Sequence, residues 1–223
     1  AFAILGLVAY LTGIGFYTMA LVNRYIGEAF GIARSTAVVV EELLDAGAIS
    51  NEVMKVYRSL SEDERAETGT LLYRMRFKKA IDNESFNTLF TVLREFGKTG
   101  DVDDVYLAMY DLATGAMVYV VDPDENLQTA FRTGEWESVK HREAEKFLTW
   151  NGEGKLYHII NGEKYGWMCT AGVPIRDASG ETAAFILADV TLGSVADGMK
   201  TFTLLFKAAM LITTALTLYC LAR

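Results

Sequence analysis

Residues 1–22, AFAILGLVAYLTGIGFYTMALV, contain no charged side chain, and residues 201–222, TFTLLFKAAMLITTALTLYCLA, contain one, Lys207. Coiled as a helix at about 1.5 Å per residue, a run of this length spans roughly 30 Å, the thickness of a bilayer's hydrocarbon core. Lys207 lies near one end of its run, where a long aliphatic stem carries the ammonium towards the interface. A single middle segment would rarely need two such runs, one at each terminus, as buried core helices. We therefore expect transmembrane helices over 1–22 and 201–223, with a folded extramembrane domain over 23–200. The rival account of the first run is a cleaved signal peptide. Against it, the run is longer than a usual signal core and shows no clear A-x-A site.

Between the runs lie all 29 acidic residues, whereas two of the 21 basic residues, Lys207 and Arg223, lie outside that segment. So acidic a domain is a poor partner for nucleic acid or an anionic lipid surface. Arg223, directly after the second run, puts the C-terminal side in the cytoplasm. Residues 23–200 are then extracytoplasmic, in a multi-pass protein of the cell's inner or plasma membrane. The chain begins with Ala and stops just after the second run, so it reads as a piece of a larger protein with an output domain (kinase, phosphatase or cyclase) beyond Arg223. Cys169 in the middle and Cys220 in the second run occupy environments too different for a disulfide.

After the first run the helical pattern continues. Ile26, Phe30, Ala33, Ala37, Val40 and Leu44 recur at steps of three and four, and Gly47 offers a stop. The two stretches are expected to form one rod. Two small-xxx-small pairs, Ala9/Gly13 and Gly27/Gly31, point to a homodimer. Residues 51–98 read as shorter helices, with a capping-box spacing at Ser61 and Glu64 and an N-cap at Asn83. No repeat or low-complexity segment appears.

From Asp103 the period changes to two. VYLAMYDL, MVYVVD, LYHII, KYGWMCTAGVPI and TAAFILADV read as five strands. Turns at 113–115, at Asn161-Gly162 and at 177–180 join them into antiparallel hairpins. Between strands two and three a long crossover holds a helix through EWESVKHREAEKFLTW, and Thr191 is a candidate cap for the last helix. The expected fold class is α+β, helical over 23–100 and sheet-containing over 101–200.

VYLAMYDLATGAMVYVVD and KYGWMCTAGVPIRDASGETAAFILADV, in that order and between those helices, resemble the single-Cache sensor domains, extracellular relatives of PAS domains. YGWMCTAGVPI with ETAAFILADV is also similar to sensors attached to bacterial PPM-type phosphatases. The resemblance implies a PAS-like five-stranded antiparallel sheet and a sensor of a transmembrane signalling receptor. It also implies a ligand pocket lined from the crossover and strands three to five.

Alternation puts Tyr106 and Tyr110 on one face of strand one, with Tyr165, Trp167 and Cys169 together on strand four and Asp189 on strand five. Tyr157 belongs to strand three, and Arg132 and Trp136 to the crossover. Arg132 suits a carboxylate, flanked by Trp136; Asp189 needs a partner and suits an amine, or ties the strand end to backbone N–H groups. Large aromatics such as Tyr157 and Trp167 also fill ordinary cores. Of these, the eight residues Tyr106, Tyr110, Arg132, Trp136, Tyr157, Trp167, Cys169 and Asp189 form the expected site, for a small organic ligand. An alternative is a divalent-cation or envelope-sensing surface; another is a structural or partner-binding ectodomain. The acidic stretches 101–104 and 122–125 lack EF-hand spacing, and Glu137, His141 and Glu145 share a helical face better read as solvated. We expect no catalytic constellation, no metal and no cofactor. His158 reads as structural.

Overall fold

The computed structural model describes residues 2–43, 45–100, 102–124, 130–162, 166–177 and 179–222. The apolar N-terminal run and the amphipathic stretch after it form one helix, α1 (Phe2–Leu43). Among the described residues its buried stripe is Ile26, Ala29, Ala33, Ala37 and Val40, the three-and-four spacing of one helix face; Leu44 lies outside them. Gly47 does not end the helix. Asp45 starts the next one instead, its Oδ1 accepting from the Ala48 N–H at 3.0 Å, so Gly47 lies inside α2 (Ala46–Ser59).

Short helices follow. The capping box at Ser61 and Glu64 opens α3 (Glu62–Ala66), Thr70 caps α4 (Leu71–Met75), and α5 spans Lys78–Ile81. Asn83 accepts from Phe86 N–H at 2.8 Å and starts α6 (Glu84–Gly97). The remainder is β1 (Asp104–Asp111), β2 (Ala116–Val121), β3 (Trp136–Ser138), α7 (His141–Leu148), β4 (Tyr157–Gly162), β5 (Gly166–Arg176), β6 (Thr182–Thr191) and α8 (Gly193–Ala222).

The sheet has six strands rather than five, ordered β3-β2-β1-β6-β5-β4, with antiparallel neighbours throughout. The extra strand is β3, which takes the start of the expected crossover helix. Trp136, Glu137 and Ser138 pair with Val118, Met117 and Ala116, and the helix begins only at His141. Glu137 therefore shares no helical face with His141 and Glu145. Asn161-Gly162 is not the turn either. Gly162 pairs with Gly166 as the last rung of the β4–β5 ladder, and Tyr165, in the connection, lies outside the described residues.

One face of the sheet packs against the N-terminal helices: α1 contacts β5 and β6, α2 contacts β1, β2 and β6, and α6 contacts β1 and β2. The side chains of that face, among them Leu107, Val118, Cys169, Ala171 and Ile186, are buried. The Ser50 hydroxyl ties α2 down by donating to the Ala183 carbonyl at 2.6 Å. Helix α7 covers part of the other face. There Phe147 packs against Tyr110 and Phe185, with ring centroids 5.0 and 5.7 Å away. Gly172 makes room for it, since a Cβ at that position would meet Leu187 at 2.6 Å and Phe147 at 2.8 Å.

Two helices are long and apolar enough to cross a membrane, with mean hydropathies of 1.3 over Gly6–Glu42 and 1.6 over Gly193–Tyr219. They pack on each other: Tyr17 stacks on Phe202 at 5.3 Å, and the Tyr10 and Thr203 hydroxyls are 2.9 Å apart. Gly13 is used within the chain, because a Cβ there would lie 2.9 Å from the Phe202 ring. Gly27 similarly faces Lys155, whereas Gly31 has open space beside it. Thr191 does not cap α8. It is the last residue of β6, and α8 opens two residues later.

Candidate ligand-binding site

On the face that carries α7, but beyond it towards the start of β1 and the end of β6, the sheet bounds a cavity of about 400 Å³. Ladder register decides which side chains reach it. Asp104 pairs with Asp189, Asp189 with Thr170, and Thr170 with His158, so these four share the cavity face and all line it. Tyr106, two residues along from Asp104, lies on the same face. On β2 the pairing shifts by one between Leu107 and Ala108, which face Val121 and Tyr119 respectively. Such a bulge reverses the alternation beyond it. Tyr119 and Asp122, three residues apart, therefore both face the cavity.

Three rings form one wall. Tyr106 and Tyr119 stack with centroids 5.3 Å apart, and Tyr119 and Phe131 stack at 4.0 Å and nearly parallel, at 3°. Six carboxylates also line it, Asp103, Asp104, Asp122, Asp124, Glu137 and Asp189, together with Met117, Ile160, Met168 and Thr191. Most accept hydrogen bonds from backbone or hydroxyl donors. Val105 N–H donates to Asp104 at 2.8 Å. Asp122 accepts from the Asp124 and Phe131 N–H groups at 2.9 and 2.6 Å, and Asp103 accepts from Thr191 N–H. Asp189 accepts from the Thr170 hydroxyl and, at 3.4 Å, from Tyr106. Glu137 accepts from Tyr119 at 3.2 Å.

Among the described residues no lysine or arginine lines the cavity, and the acids respond by holding protons. Burial, and after it the neighbouring Asp122 and Asp189, pushes Asp104 well above the usual carboxylate range. Burial also raises Asp122, which shares a hydrogen bond with Asp104, and it raises Asp189 to about 7. The one basic group, His158, is pushed down by burial and so stays neutral. Its ring lies edge-on to Phe147 at 5.5 Å, and its Nδ1 has no hydrogen-bond partner. Among the described residues, no group of three or more His, Cys, Asp or Glu is placed to hold a metal ion.

Of the eight residues expected at the site, Tyr106 and Asp189 line the cavity. Tyr110 is on the same sheet face but lies deeper, against Phe147 and Phe185. Trp167, Cys169 and Tyr157 are on the opposite face. The pairings Cys169 with Val190 and Tyr157 with Ala171 fix this, so the expected strand-four face is off by one residue. Cys169 is a free thiol, raised to about 12, chiefly by burial. Trp167 is 58% exposed, and Tyr157 lies beneath the Lys146 ammonium at 4.6 Å. Trp136 is on β3 and donates from Nε1 to the Arg65 carbonyl at 3.0 Å. Arg132 lines an adjoining cleft of about 240 Å³ with Arg74, Phe86 and Phe90, which shares Asp122 and Phe131 with the cavity.

The residues missed include Asp103, Asp104, Asp122, Asp124, Tyr119, Phe131, Glu137, His158 and Thr170. Both acidic stretches stand out in the sequence, but judged by loop spacing they suggest nothing. What joins them is the pairing of β1 with β2, which brings Asp104 and Asp122 together.

No family model matches the chain, and no curated protein does. One solved structure that it resembles is the ligand-binding domain of the Campylobacter jejuni chemoreceptor Tlp3, in complex with L-valine. Sequence identity is 10% and the TM-score 0.32, over 82% of this chain and 66% of that one.

Proposed function

We propose that this chain is the input module of a transmembrane signalling receptor, with a PAS-like, Cache-type domain outside the membrane. A small organic ligand binds in the acidic cavity and acts on the second span. The observation that carries this reading is the shared use of β6. Asp189 on that strand lines the cavity. Two residues on, the Thr191 N–H is held by Asp103, another cavity residue. The Leu192 N–H donates to the Trp167 carbonyl at 2.9 Å, and α8 begins at Gly193. A ligand that moves Asp103 or Asp189 thus acts next to the root of a helix long enough to cross the membrane. To signal, it must favour one arrangement of that joint over another; a tenfold preference shifts the balance by about 1.4 kcal/mol.

Arg132, in its own cleft, offers no carboxylate clamp inside the cavity, so recognition rests on acids, hydroxyls and rings. The test is thermal unfolding of the full chain in detergent against small amines, acids and divalent salts. A ligand at 100 times its dissociation constant stabilises by about 2.7 kcal/mol, which for a domain of this size is roughly 5–10 °C. A shift from one organic class that disappears in Asp189→Asn supports the reading. A shift from divalent salts alone, or none at all, overturns it.

A further inference from the structure

We infer that the face shared by α1 and α8 binds an anionic phospholipid, with its phosphate against Lys207 and an acyl chain along the groove beyond it. This site is separate from the acidic cavity, and it rests on the reading that these two helices cross a membrane. The first ground is a missing counter-ion. Lys207 is exposed on α8 and is the one charged residue of 201–222, while 1–22 contain none. A lysine within such a run is costly unless an anion or the interface receives its ammonium. The nearest acid on α8, Asp197, lies about 15 Å away along the helix, and it is already bonded to Lys200 at 2.8 Å. A second copy brings the same two acid-free runs, so it supplies no partner at that depth. The anion must come from outside the chain, and lipid phosphate is the anion that a membrane supplies there.

The second ground is the polarity of the surface around that lysine. Two grooves between α1 and α8, of about 540 and 730 Å³, run into each other and share Tyr10, Thr203 and Lys207. Towards the domain the lining adds Lys200. In the other direction it becomes Gly6, Leu7, Phe206, Met210 and Leu211. At the junction the Tyr10 and Thr203 hydroxyls lie 2.9 Å apart. The surface thus passes from two cations and two hydroxyls to bare hydrocarbon, which is the order of groups along a phospholipid. The length agrees as well. From Lys207 to Thr214, at the far end of the groove, the helix rises about 10 Å, against roughly 15 Å for one leaflet of hydrocarbon. The lysine stem, laid towards the domain, lifts its ammonium about one turn, to the level of Thr203. The acidic domain disfavours an anionic surface as a whole, so the attraction is local to this groove.

The experiment counts lipids bound to the full chain by intact-mass measurement from neutral detergent, with phosphatidylglycerol and phosphatidylcholine of identical chains in equal amounts. Phosphatidylglycerol should bind about fivefold more tightly, the effect of one lysine near anionic lipid. Lys207→Gln should abolish that preference and Lys207→Arg should keep it. Lys140→Gln, at a lysine 86% exposed in the domain, should leave it unchanged. Lys207→Gln removes a charge from an apolar run, so the variant remains inserted and measurable. Glycerol phosphate in tenfold excess should not displace the lipid, because it lacks the chain that the groove holds. A preference that survives Lys207→Gln, or that glycerol phosphate abolishes, overturns the inference. So does a dimer that depends on Lys207, which would place a second copy in the groove. If the two lipids bind equally, the helices remain membrane spans and only the lysine site is wrong. If neither binds, the inference and the reading of α1 and α8 as spans fall together.

Discussion

Asp104 on the first strand and Asp189 on the last are direct partners in the β1–β6 ladder. Two acids on one face of adjacent strands repel unless one holds a proton or a cation lies between them. Each is held above the usual range, first by burial and then by neighbouring acids. The described groups facing them are Asp103, Asp122, Asp124, Glu137, the Tyr106 and Tyr119 hydroxyls and the neutral His158, and none of these is a positive side chain.

That arrangement fixes a pH dependence. A carboxylate whose folded pKa lies above its unfolded value binds more protons folded than unfolded, and stability falls as pH rises between the two values. With Asp189 at about 7, the empty chain should lose stability from about pH 4 to about pH 7 on account of this group, and then level off. Thermal midpoints at about pH 5 and pH 8 check it. Asp104→Asn combined with Asp189→Asn should flatten the difference, and an undiminished slope in that double variant would place its origin elsewhere.

Gly134→Ala should destabilise the domain by about 2–5 kcal/mol, adding overpacking to a left-handed backbone. Gly134 has φ of +82°, and a Cβ there would lie 2.2 Å from the buried Phe77 ring. Its carbonyl also accepts from the Tyr73 hydroxyl at 2.5 Å. This turn sits between Phe131, on the cavity wall, and β3. Urea unfolding measures the loss, and a change below about 0.5 kcal/mol would mean that the Phe77 ring yields freely.

Between the two long helices, Gly13→Ile should force α8 away from α1 at Phe202, whereas Gly15→Ile, with open space beside Gly15, should not. A Cβ at Gly6 would lie 2.8 Å from the Met210 side chain, so a short crosslinker joining Gly6→Cys to Met210→Cys reports the separation. Its yield should drop with the first substitution and persist with the second. Equal yields would show that the helices are held together elsewhere.

Asp103→Ala removes the acceptor for the Thr191 N–H. It should loosen the end of β6 and speed amide exchange at Thr191 and Leu192. The centre of the strand, at Phe185 to Leu187, stays protected by ladders on both sides. Asp103→Asn keeps an acceptor oxygen and should behave nearly like the parent. Unchanged exchange in Asp103→Ala would show that the joint is held by the Leu192 bond to Trp167.

Local signals were legible in the sequence. Ser61, Glu64 and Asn83 cap helices as their spacing implies, and Ile26, Ala33, Ala37 and Val40 of the three-and-four pattern in α1 are buried. What eluded sequence reading depends on register. Which face of β5 meets the cavity follows from the pairing of Thr170 with Asp189, and alternation within KYGWMCTAGVPI gives the two faces without saying which is which. Asp122 is harder still, because its direction depends on a bulge whose presence no residue type announces. Trp136–Ser138 is too short for a period-two pattern to emerge, so the charged residues after it carried the helix reading upstream. Arg132 stood out as the isolated cation near an aromatic, a chemical argument that contained no geometry.

Strand β6 lies between β1 and β5 and is bonded to both. A central strand cannot slide along its own axis without breaking two ladders at once, so a piston stroke inside the sheet is ruled out by the same bonds that hold it. If a ligand moves α8 as proposed, the movement must begin where those ladders end, at Leu192 between Thr191 and the first turn of α8, as a tilt or twist of a long lever about a short pivot. A displacement too small to disturb the sheet would then grow along the 30 residues of that helix.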